Sequence, residues 1–209
     1  KFVIKSPHVG IAGNIGVGKT TMTEKLASIF NWETIYESVV DNPYLADFYK
    51  DMDRWSFNLQ IYFLYHRFSS QVKLSNIENG FIQDRTIYED KEIFARNLKD
   101  LKLMSQRDWD TYSNLFDNLV SFIRSPDLII YLKASTDTLL SRISKRNRDF
   151  EKKMDPEYLH SLNIYYDKWI SKLNKNNTLI IETDNFNIFE DKDELLEISK
   201  KIENKLKEK

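Results

Sequence analysis

The sequence predicts an α/β fold, a doubly wound five-stranded parallel sheet flanked by helices, and three observations predict it. Short β-like runs alternate with helical stretches along the whole 209-residue chain, the pattern of parallel strands joined by crossover helices. The run Leu128-Ile129-Ile130-Tyr131-Leu132 is nearly all apolar, as a strand covered on both faces requires. The chain also holds only five glycines, against roughly 15 at an average usage of about 7 %. Four of them, Gly10, Gly13, Gly16 and Gly18, fall within nine residues between a strand and a helix. Glycine accepts positive φ and close approach to its backbone, so a chain that otherwise avoids it uses this stretch for a purpose.

Val9 to Ala12 reads as the first strand, and Thr20 to Phe30 as a helix with Met22, Leu26, Ile29 and Phe30 on one side. Thr34-Ile35-Tyr36 is a second short strand ending at Glu37. After the turn Asp41-Asn42-Pro43, a long helical tract from about Trp55 to Ile77 carries Leu59, Phe63 and Phe68 near helical spacing, and Gly80 ends it. Phe81-Ile82-Gln83 is the third strand, followed by Asp84-Arg85. Helices are expected over roughly Tyr88 to Leu98 and Ser105 to Ile123, the second opening with the capping-box spacing Ser105-x-x-Asp108. Leu128 to Leu132 is the fourth strand; Thr136 to Lys145 is helical and runs into Arg146 and Arg148. A helix over Pro156 to about Leu173, a strand over Thr178 to Ile181 and an amphipathic helix with Leu195, Ile198, Ile202 and Leu206 inward complete the chain. Ligands of such a sheet gather at the C-terminal ends of its strands.

No repeat, linker or composition shift marks a boundary, so one domain over 1–209 is expected, with a short arginine-rich lid at about 142–154. The 31 Lys and Arg nearly balance the 32 Asp and Glu, for a net charge of −1. That leaves no global field for nucleic acid or an anionic membrane, and neither partner is expected. Cysteine is absent, which removes disulfides, thiolate metal sites and a cysteine nucleophile, and fits a reducing compartment. No apolar run reaches the length that spans a bilayer, and Lys1-Phe2-Val3-Ile4-Lys5 has no signal-length apolar region. A soluble cytoplasmic protein is expected. His8, His66 and His160 show no metal-ligand spacing.

Gly13-Asn14-Ile15-Gly16-Val17-Gly18-Lys19-Thr20 matches G-x-x-x-x-G-K-[ST] between a strand and a helix, the context this phosphate-binding loop needs. Its N–H groups and the following helix start, including Thr21, cradle phosphate oxygens; Lys19 reaches the β/γ oxygens and the Thr20 hydroxyl offers a ligand to Mg²⁺. Glu37, just past the second strand, faces the same crevice as a candidate general base. Asp84 and Arg85 stand at the same level after the third strand, where the carboxylate can hold Mg²⁺ and the guanidinium can clamp a phosphate or the base. Arg142 and Arg146 share a helix face with Arg148 just beyond, an arrangement that can close over a transferring phosphoryl group.

Taken in order, Gly13 to Thr20, Glu37, Trp55-Ser56-Phe57-Asn58-Leu59-Gln60, Arg67, Asp84-Arg85-Thr86-Ile87-Tyr88-Glu89-Asp90, and Arg142 with Arg146-x-Arg148 resemble the deoxynucleoside kinase family, the deoxycytidine, deoxyguanosine and deoxyadenosine kinases, over nearly the whole chain. The resemblance implies a P-loop kinase that uses ATP with Mg²⁺ to phosphorylate a deoxynucleoside 5′-hydroxyl in nucleotide salvage, and a homodimer packed through the helices near Trp55 to Ile77 and Tyr88 to Leu98. It implies that Glu37 takes the hydroxyl proton and that Arg85 orients both. It gives Gln60 to the nucleobase edge, with Arg67 and Asp90 completing base recognition, Tyr49 and Glu151 to the 3′-hydroxyl, and Phe94 to stacking on the base. Arg142, Arg146 and Arg148 match the lid, and Asp184, Asn185 and Phe186 the loop around the donor adenine. The charged pair favours a deoxypurine or deoxycytidine over thymidine. Thr86 stands where serine is usual, and Phe63 is bulky where a small residue is common, which leaves the preferred base open. A nucleoside monophosphate kinase resembling thymidylate kinase and a non-catalytic nucleotide switch are the rival readings; no N-K-x-D guanine motif supports the latter.

Overall fold

The computed structural model describes residues 6–36, 41–74, 78–146, 148, 154–185 and 191–207. Five parallel strands form one sheet in the order β2-β3-β1-β4-β5. They are β1 (His8–Gly13), β2 (Glu33–Ile35), β3 (Phe81–Asp84), β4 (Leu128–Lys133) and β5 (Thr178–Glu182). β1 and β3 are buried throughout, and β4 up to its last residue, as apolar runs sandwiched between helices must be. The chain leaves β1 toward one edge and β4 toward the other, which opens a crevice above their C-terminal ends.

The helices are α1 (Lys19–Phe30), α2 (Leu45–Lys50), α3 (Met52–Leu74), α4 (Ile87–Glu89), α5 (Arg96–Asp100), α6 (Gln106–Val120), α7 (Thr136–Arg146), α8 (Pro156–Lys172) and α9 (Lys192–Lys207). All five expected strands form. β2 sits one residue earlier than the spacing suggested, because it pairs with β3 from Glu33 onward. Ser105 caps α6 by accepting the Asp108 N–H at 3.1 Å, and Asp155 caps α8 with Pro156 in its first turn.

Three features depart from expectation. α2 forms ahead of the long helix because Leu45 and Phe48 are buried in the core. α3 starts at Met52 rather than Trp55, and its buried positions are Ser56, Leu59, Gln60, Leu64, Arg67 and Gln71, so the inward stripe is largely polar. Phe63 and Phe68, read as its apolar face, are only half-buried. Third, the helix after β3 runs from α4 into α5 through a π-helical stretch, Asp90–Ala95. Such bulges favour functional sites, and Asp90 and Phe94, both within this one, line the crevice above the strand ends.

Gly10, the clustered glycine that lies within β1, has its own reason. A side chain at Gly10 would collide with the Thr86 methyl group across the sheet, so Gly10 and Thr86 fit each other. Gly18, the N-cap of α1, has φ 105° with nothing within 4 Å of a built Cβ. Backbone conformation alone selects glycine there.

Candidate active site

The C-terminal ends of β1, β3 and β4 open into a cleft of about 1440 Å³. That exceeds the roughly 300–1,000 Å³ of a single small-molecule pocket and leaves room for two ligands. Residues 15–22 of the phosphate loop and α1 line one part of it; Leu45, Tyr49, Gln60, Phe63 and Phe94 line the other, with Asp84, Arg85 and Asp90 also exposed to it.

The loop is held from below. Asn14 donates to the Leu159 carbonyl at 2.9 Å and to Asn163 Oδ1 at 2.8 Å, both on α8, and accepts from the Ile15 N–H at 2.7 Å. Lys19 Nζ donates to the Asn14 carbonyl at 3.1 Å, folding its ammonium back over the loop. The Gly13 N–H is occupied by Glu89 Oε1 at 3.2 Å, so the anion-facing donors are those further on. The first-turn N–H groups of α1 have no intrahelical acceptor and carry the positive end of the helix dipole.

Thr20 Oγ1 donates to Asp84 Oδ2 at 2.5 Å. The other carboxylate oxygen of Asp84, Oδ1, is buried with no hydrogen-bond partner among the described residues. A stranded buried anionic oxygen beside a hydroxyl at the phosphate loop suits a hard divalent cation. Mg²⁺ takes one or two protein oxygens, which Thr20 and Asp84 could supply, and the rest from phosphates and water.

Arg85 lies 3 % exposed with φ 71°, a left-handed conformation that costs a non-glycine residue about 1–2 kcal/mol. Its N–H donates to the Ile11 carbonyl at 3.0 Å. Its guanidinium donates to the Tyr166 hydroxyl at 2.7 Å, faces Glu89 Oε1 at 3.5 Å and stacks over Phe94 with its carbon 4.4 Å from the ring centre. Glu89 in turn accepts the Thr86 N–H at 2.6 Å, the capping geometry that starts α4. Arg67 Nε donates to Asp90 Oδ2 at 2.5 Å, and its Nη1 donates to the Arg85 carbonyl at 3.3 Å. Gln60 is 2 % exposed, and its Oε1 is buried without a partner among the described residues. Of the three expected base-reading residues, Gln60 and Asp90 line the cleft, and Arg67 reaches it only through its ion pair with Asp90.

On the far side, Arg142 donates to the Val17 carbonyl at 3.1 Å and to Thr183 Oγ1 at 3.0 Å, and also bonds the Thr183 carbonyl. It staples α7 to the phosphate loop and the exit of β5. Arg146 and Arg148 line the same rim. Asp184 Oδ1 accepts from the Ser135 N–H at 2.8 Å and its hydroxyl at 3.1 Å; these bonds, with Thr138, hold its carboxyl below the ordinary range. Asn185 lines the cleft as well. Glu37, Glu151 and Phe186 lie outside the described residues, although Tyr36, next to Glu37, lines the cleft.

Sequence reasoning assigned no role to Glu89, Tyr158, Tyr166, Lys145 or Thr183. Glu89 carried a signal, the Thr86-x-x-Glu89 capping spacing. Tyr166 carried none, being 153 residues from Gly13, the backbone it contacts. His8 is buried against Phe81 and Gln83, far from ligand geometry.

The family model for deoxynucleoside kinases matches residues 9–207. A deoxyadenosine kinase of Dictyostelium discoideum is 44 % identical over 84 % of this chain and 71 % of its own length. A deoxyadenosine/deoxycytidine kinase of Bacillus subtilis is 38 % identical over 95 % of this chain and 92 % of its own. Among solved structures, a deoxyadenosine kinase of M. mycoides with dCMP and a flexible dCDP bound superposes with a TM-score of 0.82 at 32 % identity, covering 94 % of this chain and 99 % of that one. Sheet order, phosphate loop, the Asp84-Arg85 turn and these likenesses agree: the chain belongs to the deoxynucleoside kinase family, phosphotransferases with a hydroxyl acceptor.

Proposed function

We propose that this kinase transfers the γ-phosphoryl group of ATP to the 5′-hydroxyl of deoxyadenosine, deoxyguanosine or deoxycytidine, giving the 5′-monophosphate and ADP. The observation that carries this reading is the polar wall made by Gln60 and Asp90, which line the same cleft as the phosphate loop, with the buried Arg67 paired to Asp90. A buried amide beside a buried ion pair offers fixed donors and acceptors, which suits the polar edge of a nucleobase. Gln60 can satisfy its stranded oxygen with the exocyclic amine of adenine or cytosine, and a base that leaves such a group unpaired costs about 1–3 kcal/mol.

In this reading Glu37 accepts the proton as the 5′-oxygen attacks the γ-phosphorus and the bond to the β-phosphate oxygen breaks. Arg85 orients the hydroxyl and the base. Lys19 and the N-terminal donors of α1 hold the donor phosphates, while Arg142, Arg146 and Arg148 form the lid side. Thr20 and Asp84 would hold Mg²⁺, which neutralises phosphate charge when bound. Tyr49 and Glu151 serve the 3′-hydroxyl, Phe94 the base, and Asp184 to Phe186 the donor adenine. Catalysis is then mainly positioning and charge neutralisation. A homodimer built on α3 is supported by Tyr65 and Val72, exposed on that helix. The Tyr88 to Leu98 segment, with Tyr88, Glu92 and Arg96 half-buried on its outer side, is the other helical face of that homodimer. Among the described residues no helix is long and apolar enough to cross a membrane.

The test is a panel of four deoxynucleosides and deoxyadenosine 5′-monophosphate offered with ATP and Mg²⁺. Phosphorylation of deoxyadenosine, deoxyguanosine or deoxycytidine with little thymidine turnover is expected. Phosphorylation of the monophosphate alone would replace this reading with a nucleoside monophosphate kinase.

A further inference from the structure

Beneath Arg85 a buried junction ties the two halves of the cleft together, and Tyr166 of α8 is its centre. Its hydroxyl accepts from Arg85 Nη1 at 2.7 Å, and lies 2.8 Å from the Gly13 carbonyl and 2.7 Å from Glu89 Oε1. Glu89 also takes the Gly13 N–H. Both backbone groups of the first phosphate-loop glycine are thus connected, through two buried side chains, to the guanidinium at the acceptor site. Tyr166 and Glu89 are each 0 % exposed, and neither is among the residues lining the cleft.

We infer that Tyr166 is a positioning residue for phosphoryl transfer: its hydroxyl locks the phosphate loop to Arg85, fixing the donor relative to the acceptor. The inference rests on the deoxynucleoside kinase reading above. The ring is a core element stacked on Tyr131 at 5.4 Å, a task phenylalanine performs equally well. What phenylalanine lacks is the hydroxyl, which makes no contribution to packing yet meets three polar groups. A phenol has one proton and two lone pairs, so here it receives the Arg85 N–H and shares its own proton between the Gly13 carbonyl and Glu89. Burial pushes the Tyr166 hydroxyl well above its ordinary pKa, which keeps that proton in place at any working pH. Arg85 needs such support, because strained backbone persists only where its surroundings over-determine it. Arg67 holds its carbonyl and Ile11 its N–H; Tyr166 and Glu89 hold its side chain.

The experiment is steady-state kinetics on Tyr166→Phe, on Arg85→Lys and on the double variant, with ATP and the preferred deoxynucleoside. Tyr166→Phe is expected to lower kcat about 10- to 100-fold, the scale of a small misplacement, with both KM values within about threefold of wild type. In the Arg85→Lys background the same change is expected to cost less than about twofold, because a residue acting through Arg85 has nothing left to position. Tyr165→Phe, the adjacent residue whose hydroxyl bonds Asp100 at the surface, is the control and keeps the wild-type kcat. Glu89→Gln, which preserves shape and removes the charge, is expected to repeat the Tyr166→Phe pattern. An unchanged kcat in Tyr166→Phe would overturn the inference, as would equal losses in both backgrounds or a loss carried by KM together with the melting temperature. A wild type that phosphorylates no deoxynucleoside would instead overturn the reading of the cleft, and the inference with it.

Discussion

On the acceptor side of the cleft Arg67, Arg85, Glu89, Asp90 and Tyr166 are all buried and bonded to one another; on the donor side Thr20, Arg146, Asp184 and Asn185 stand at the surface. The contrast teaches where selectivity and where mobility belong. Charges removed from water are held best in one hydrogen-bonded arrangement, so these groups are organised before any ligand arrives; in the proposed function this is the side that rejects a base that fits badly. Exposed groups on α7 and after β5 lose little by moving, which suits a side that must admit and release a nucleotide each turnover.

The largest effect is expected at the proposed general base, which belongs to neither of these two sets of residues. Glu37→Gln is expected to lower kcat by about 10²- to 10⁴-fold while ATP still binds, measured by turnover beside equilibrium titration; an undiminished rate would remove Glu37 from the mechanism. Breaking the acceptor wall comes next. Asp90→Ala strands the buried Arg67 charge and should cost about 3–5 kcal/mol of stability, read by denaturant unfolding, together with base discrimination in the deoxynucleoside panel. Arg146→Ala, on the exposed side, should leave the unfolding midpoint where it is; equal destabilisation by the two variants would erase the contrast.

The floor of the sheet adds an acid-sensitive element. Burial pushes the His8 imidazole down to about 4, against about 6.5 in an unfolded chain. Between those values the unfolded state binds the proton and the folded one does not. Up to about 3 kcal/mol of stability is therefore present above pH 6.5 and lost as pH falls toward 4. His8→Gln should flatten this part of the stability profile. Smallest is Gly10→Ala, expected to cost about 1–3 kcal/mol through overpacking against Thr86. Thr86→Ser, which deletes the offending methyl, should recover part of that loss in thermal unfolding.

What could be read from the sequence was what is local. The phosphate loop, the Asp84-Arg85 turn and the apolar fourth strand each declare themselves within a few residues, whereas Gln60 is singled out only by the family resemblance; all five strands form as expected. Tyr166 sits in a helix whose neighbours Leu162, Trp169 and Ile170 are core, so its periodicity announces packing and hides its hydroxyl. The π-helical stretch has no compositional mark, yet it carries Asp90 and Phe94, which both line the cleft. The polar inner stripe of α3 misleads for a related reason: periodicity counts Phe63 and Phe68 as inward, whereas tertiary pairing of Arg67 with Asp90 rotates the helix to bury its polar residues.

The most direct test of the central claim, that one cleft takes ATP and a deoxynucleoside together, is a ³¹P NMR time course of the protein with ATP, Mg²⁺ and deoxyadenosine. Equal growth of ADP and a 5′-monophosphate resonance is predicted. Growth of ADP with inorganic phosphate, and no monophosphate, would contradict it.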